Sequence, residues 1–127
     1  MDKAALVSVD LEKGSRILQI LDDAGLQVKV ALWAVLADYE DWRLVLSSRK
    51  FDAEGPTGGY GLLHDTLDAA GFTLEETPPV VILQANDPFI RDLRKTYGKP
   101  KTTEGMRLGG KSIGNRFLED AYTYRVS

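Results

Sequence analysis

Cysteine is absent from this 127-residue chain, and His64 is its only histidine. The first absence excludes a disulfide framework, a thiolate nucleophile and a cysteine-based zinc site. The second excludes a multi-histidine metal centre built within one chain. Carboxylates remain able to hold a hard cation such as Mg²⁺, but nothing in the sequence asks for a metal or any other cofactor. No apolar stretch approaches the ~20 residues of a membrane span. The N-terminal Met1-Asp2-Lys3-Ala4-Ala5-Leu6-Val7 also lacks the long apolar core of a signal peptide. A cytoplasmic protein with no membrane association is the expectation. Repeats, low-complexity stretches and long linkers are missing as well, so 1–127 reads as one domain. A chain of this length buries roughly two-thirds of the surface its unfolded form exposes, enough for a single core.

What is present is a charge split under a mild net charge of −3. Residues 1–90 carry seven Lys/Arg against fifteen Asp/Glu, a balance of −8, whereas 91–127 carry nine against four, or +5. Arg91, Arg94, Lys95, Lys99, Lys101, Arg107, Lys111 and Arg116 crowd one stretch, interleaved with Gly98, Gly105, Gly109, Gly110 and Gly114. Clustered charge raises the local concentration of the opposite sign, so this stretch is a candidate surface for an anion or an acidic partner. Its plainer reading is structural. Arg94 and Lys95 suit the last turns of a helix, glycines suit turns and bulges, and cations guard exposed strand edges.

The apolar pattern orders the chain as α-β-β-α-β-α-β-β. Residues 9–24 have a helical stripe of Leu11, Leu18 and Leu21, joined by Val7, Ile17, Ile20 and Ala24, and Gly25 stops it. Gly14 lies inside that helix at a cost of about 1 kcal/mol relative to Ala, which predicts close packing there or a later start. Val28–Ala37 is apolar on both alternating faces, as a central strand covered on both sides must be. Asp38–Asp41 makes a polar turn into a second strand, Trp42–Ser48, giving an antiparallel hairpin with Trp33 facing Trp42. Phe51–Gly55 reads as a loop, and Pro56 opens a helix to about Ala70, ended by Gly71. A short strand, Val80–Gln84, follows Pro78-Pro79. Asp87 caps and Pro88 opens a helix to Tyr97, with Phe89, Ile90, Leu93 and Tyr97 facing inward. A second hairpin, Met106–Ile113 and Arg116–Val126, turns at Gly114-Asn115. The class is α+β: a mixed, mostly antiparallel sheet with helices packed on it.

Few constellations carry chemistry. Gly55-Pro56-Thr57-Gly58-Gly59-Tyr60-Gly61 lacks the Gly-Lys-Ser/Thr ending of a phosphate loop, and Pro56 removes a donor, so a helix start is the better reading. Asp38, Glu40 and Asp41 match no calcium loop and read as a solvated turn. His64 and Asp68, four apart on a helix, form a surface pair rather than a dyad. Asp120 is the one residue in conflict with its surroundings, since alternation puts it on a strand face with Leu118, Tyr122, Tyr124 and Val126. A carboxylate there needs a hydrogen bond or an arginine. Asp120 and Glu119 are the candidate catalytic residues, and with Arg116, Arg125, Tyr122 and Tyr124 they could form a small polar site; the plainer reading is a shifted register or a strand end where Asp120 is solvated.

The segments Ala24-Gly25-Leu26, Ala31-Leu32-Trp33, Asp41-Trp42-Arg43-Leu44-Val45, Gly55-Pro56 with Tyr60, and Glu119-Asp120-Ala121-Tyr122-x-Tyr124-Arg125 are spread over most of the chain. In these it resembles a family of small bacterial proteins of unknown function. The resemblance implies one small domain and adds no reaction, cofactor or catalytic residue. Gly58, Gly59 and Gly61 depart from it, standing where helix-favouring residues are expected. The functional expectation is a non-enzymatic accessory domain that binds the acidic surface of a protein partner through 91–116. Direct nucleic-acid binding through the same cations and metal-assisted hydrolysis by Asp120 and Glu119 are the rivals.

Overall fold

A computed structural model describes residues 8–37, 39, 41–73, 75–98 and 105–127. The turn residues Asp38 and Glu40 and the cations Lys99 and Lys101 lie outside them, as does Val7. The fold is a single mixed sheet with helices on both sides, the α+β architecture expected. Val28–Leu36 (β1) lies in the middle of the sheet and is buried at every position but Lys29. A strand apolar on both faces has to be covered on both, and that requirement organises everything else. Arg43–Ser48 (β2) pairs with β1 antiparallel on one side, and Arg116–Val126 (β6) does so on the other.

Against one face pack Ser8–Asp23 (α1), the short Arg49–Ala53 (α2) and Gly55–Ala69 (α3). Ile17, Leu21, Phe51, Leu63 and Leu67 meet Ala31, Trp33, Val35, Leu44 and Leu46 there. Both long helices end in the left-handed turn that glycine permits. Gly25 has φ 73° and Gly71 φ 80°, and the next residues, Leu26 and Phe72, bond back to Leu21 and Leu67 and bury their side chains. Gly14 resolves the oddity of its helix: an added Cβ would collide with the Tyr124 hydroxyl and lie 2.8 Å from Trp33 Nε1. That hydroxyl accepts from Trp33 Nε1 at 2.9 Å and donates to the Leu11 carbonyl at 2.6 Å, tying α1 to both central strands.

Residues 49–53, of which 51–53 belong to the expected loop Phe51–Gly55, form α2 because Ser48 caps them. Its hydroxyl accepts from Lys50 N at 3.0 Å, and Phe51 is buried beneath. Helix α3 starts at Gly55 through the glycine-rich run, and Gly59 sits where a Cβ would be 3.4 Å from Phe51, so α2 and α3 pack closely. The chain then returns as Val80–Ile82 (β3), parallel to β2. The outer edge of β3 is blunted by Tyr60, whose hydroxyl accepts from Ile82 N at 2.9 Å.

On the opposite face, among the described residues, lies one helix, Pro88–Tyr97 (α4), whose Phe89, Ile90 and Leu93 pack on Val30, Leu32, Ala34, Leu36 and Val45. The last hairpin completes the sheet. Arg107–Leu108 (β4) and Lys111–Ile113 (β5) are one arm in one register, interrupted at Gly109-Gly110. The strand order is β3-β2-β1-β6-β4, with β5 also on β6.

Two details depart from simple alternation. Strand β6 skips Tyr124 and Glu119 in its pairing with β1. Each bulge shifts the facing by one residue. Leu118 and Val126 therefore face α4, while Tyr122 and Tyr124 face α1, instead of all sharing one side. Trp33 is paired with Leu44 and Tyr122 rather than with Trp42, although both tryptophans belong to the same core.

Candidate functional site

The amphipathic pattern of α4 decides where its charges go. Asp87 accepts from Phe89 N at 2.9 Å, Pro88 begins the helix, and the buried Phe89, Ile90 and Leu93 fix which side is inner. Arg91 and Lys95, one turn apart, are thereby exposed, and Arg94 lies at the flank, half-buried. These three cations, with Asp92, Gly114 and Ser127, line an open groove of about 590 Å³ beside the helix.

The groove has a built wall. Gly114, at φ 61°, brings the hairpin turn against Pro88 so closely that a Cβ would meet the Pro88 backbone. Its amide donates at 2.9 Å to Oδ2 of Asp92, the one acidic side chain of the described lining. Arg94 Nε donates to the backbone oxygen of Ser127 at 2.6 Å and leaves the rest of its guanidinium at the groove. Among the described residues neither Arg91 nor Lys95 has an ion-pair partner. The arrangement can attract and hold an anionic group.

The other cations of the stretch are not brought to this groove. Lys111 reaches the far end of α4, its Nζ donating to the Tyr97 hydroxyl at 3.0 Å. Arg116 lies 3.6 Å from the α4 cap Asp87. Arg107 is on the opposite face of the sheet, stacked over Trp42 and donating to Asp120 Oδ2 at 2.7 Å.

Asp120 thus has its partner, and it is neither Arg116 nor Arg125. Its other oxygen accepts from Ala121 N at 2.8 Å. Arg125 forms a two-pronged pair with Asp22 of α1 at 2.9 and 2.8 Å, which raises the arginine pKa above its ordinary value. Tyr122 and Tyr124 stack edge to face at 5.5 Å in the α1 core. Glu119, at the bulge, is exposed. The expected site of Glu119, Asp120, Arg116, Arg125 and the two tyrosines is not assembled. Among the described residues no three His, Asp or Glu side chains stand together to hold a metal ion. No helix of the described residues is long and apolar enough to cross a membrane.

Sequence reasoning missed the roles of Asp92 and Ser127, both set by long-range packing. It also missed a second hollow between α1 and α3, lined by Ile20, Ala24, Ala69 and Ala70 together with Asp23 and Asp65. The only signal for Asp92 was its position among three cations of one helix. Compared with known proteins, the chain matches no family model, no curated protein and no solved structure.

Proposed function

We propose that this is a non-enzymatic, cytoplasmic accessory domain that binds an acidic protein partner through the α4 groove. The observation that carries the reading is the convergence of Arg91, Arg94 and Lys95 on one concave surface whose described lining holds a single acidic side chain, Asp92, which accepts from Gly114 N. Such a surface holds anions by summed Coulomb attraction, and its binding weakens as salt screens the charges. The cations form a compact patch rather than a stripe tracking a phosphate backbone, which favours an acidic protein surface over nucleic acid. Asp120 is held by Arg107 and the Ala121 amide, a structural pairing that lends hydrolysis no support.

The test is titration of a fluorescent polyglutamate peptide, with a single-stranded oligonucleotide of equal charge alongside. The expected result is saturable peptide binding that falls between about 0.01 M and about 1 M salt, where the screening length drops from about 30 Å to about 3 Å. Preference for the oligonucleotide would reassign the groove to nucleic acid, and no binding to either would remove it as a functional site.

A further inference from the structure

We infer that the acidic partner is a second copy of this chain, bound head to tail, with the α4 groove of one copy seated on the α1–α3 hollow of the next. This rests on the α4 groove being an anion-binding surface. The hollow has about 510 Å³ of open volume near the C-terminal ends of α1 and α3. Its described lining carries two carboxylates, Asp23 and Asp65, and no cation. The described lining of the α4 groove carries three cations against one acidic side chain. Asp92 there accepts from Gly114 N and Asp23 in the hollow from Gln19 Nε2, and each carboxylate keeps its charge. The two surfaces are complementary in sign. The partial negative charge of two helix C-termini adds to the acidic side.

They are complementary in chemistry too. Ile20, Ala24, Ala69 and Ala70 offer an apolar lining that small side chains leave open. Long Arg and Lys stems can cover such a surface while their charged heads reach the carboxylates at hand. The α4 helix packs on one face of the sheet, and α1 and α3 on the other, so one copy can use both surfaces at once. Such a contact joins different patches of the two copies, so copies add successively in a ring or open chain rather than stopping at a two-fold dimer.

Sedimentation equilibrium tests this with the full chain and two variants, Arg91→Gln/Arg94→Gln/Lys95→Gln and Asp23→Asn/Asp65→Asn. Four of the five positions are exposed and Arg94 is half-buried, and thermal melts check that both variants fold. The wild type is expected to associate at about 0.01 M salt and dissociate at about 1 M. Each variant alone should associate at least about tenfold more weakly. Mixed in equal amounts they should form a one-to-one dimer and nothing larger, because each retains the face the other lost. If either variant melts early, the wild-type salt response decides. A wild type that stays monomeric at low salt while binding polyglutamate overturns the head-to-tail contact and leaves the groove reading standing. Failure to bind polyglutamate removes the groove reading itself. Association that survives in either variant, or a mixture that does not pair, overturns the proposal as well.

Discussion

Helix α4 and the C-terminal hairpin draw on the same basic stretch, yet they use its charge in opposite ways. In the hairpin each described cation meets a partner within the fold: Arg107 with Asp120, Lys111 with Tyr97, Arg116 with Asp87 and Arg125 with Asp22. On α4, Arg91 and Lys95 have no ion-pair partner among the described residues, and Arg94 spends one nitrogen on Ser127. The difference lies in secondary structure. The hairpin runs between α4 on one face of the sheet and α1 on the other, so its long side chains reach Asp87 and Tyr97 of the first, Asp22 of the second, and Asp120 on the paired strand. A single helix laid on a sheet turns one whole face to solvent. Charge clustered in sequence is therefore a poor guide to charge available for binding until the elements are placed.

The comparison presumes that both regions hang on one rigid sheet, and the largest expected effect tests that. Trp33 is buried in the central strand and donates to Tyr124. Trp33→Ala should cost about 3–5 kcal/mol in denaturant melts. A loss below about 0.5 kcal/mol would place the residue at the surface and undo the sheet assignment.

A smaller effect probes the link between the two regions. Gly114 combines φ 61° with direct contact to Pro88, so Gly114→Ala should destabilise the protein by about 1–3 kcal/mol. It should also perturb the amide resonances of residues 88–92 in NMR spectra. A variant that melts like the wild type would mean that the turn does not wall the groove.

The smallest effects address the contrast itself. Arg107→Gln breaks an exposed pair and should lower stability by at most about 1 kcal/mol. The double change Arg91→Gln/Lys95→Gln should stay within about 0.5 kcal/mol, because among the described residues those side chains have no ion-pair partner to lose. Calorimetric melts showing the α4 variant as the less stable of the two would reverse the comparison.

Much of the fold was legible where local chemistry and tertiary packing agree. Asp87-Pro88 marked the start of α4, Gly25 and Gly71 marked helix ends, and the two-faced apolar run of β1 marked a central strand. Helix α2 was not legible, because five residues rich in charge depend on the Ser48 cap and the burial of Phe51. The facing of Leu118 was misread, since the bulges at Glu119 and Tyr124 are set by pairing with β1 rather than by β6 alone. Of the candidate residues, three cations of one helix were brought together. The partner of Asp120 was missed because strand register, which decides it, joins residues thirteen apart. Helical spacing alone would have grouped Arg91, Arg94 and Lys95; nothing local separates Arg107 from them.

One measurement addresses the division of labour between these two regions directly. Polyglutamate affinity at low salt is compared for the wild type, Arg91→Gln/Arg94→Gln/Lys95→Gln and Arg107→Gln/Lys111→Gln. With the functional charge on α4, the first variant should bind at least about tenfold more weakly, and the second should stay within about threefold of the wild type. Equal losses in the two variants, or the greater loss in the hairpin variant, would contradict the account.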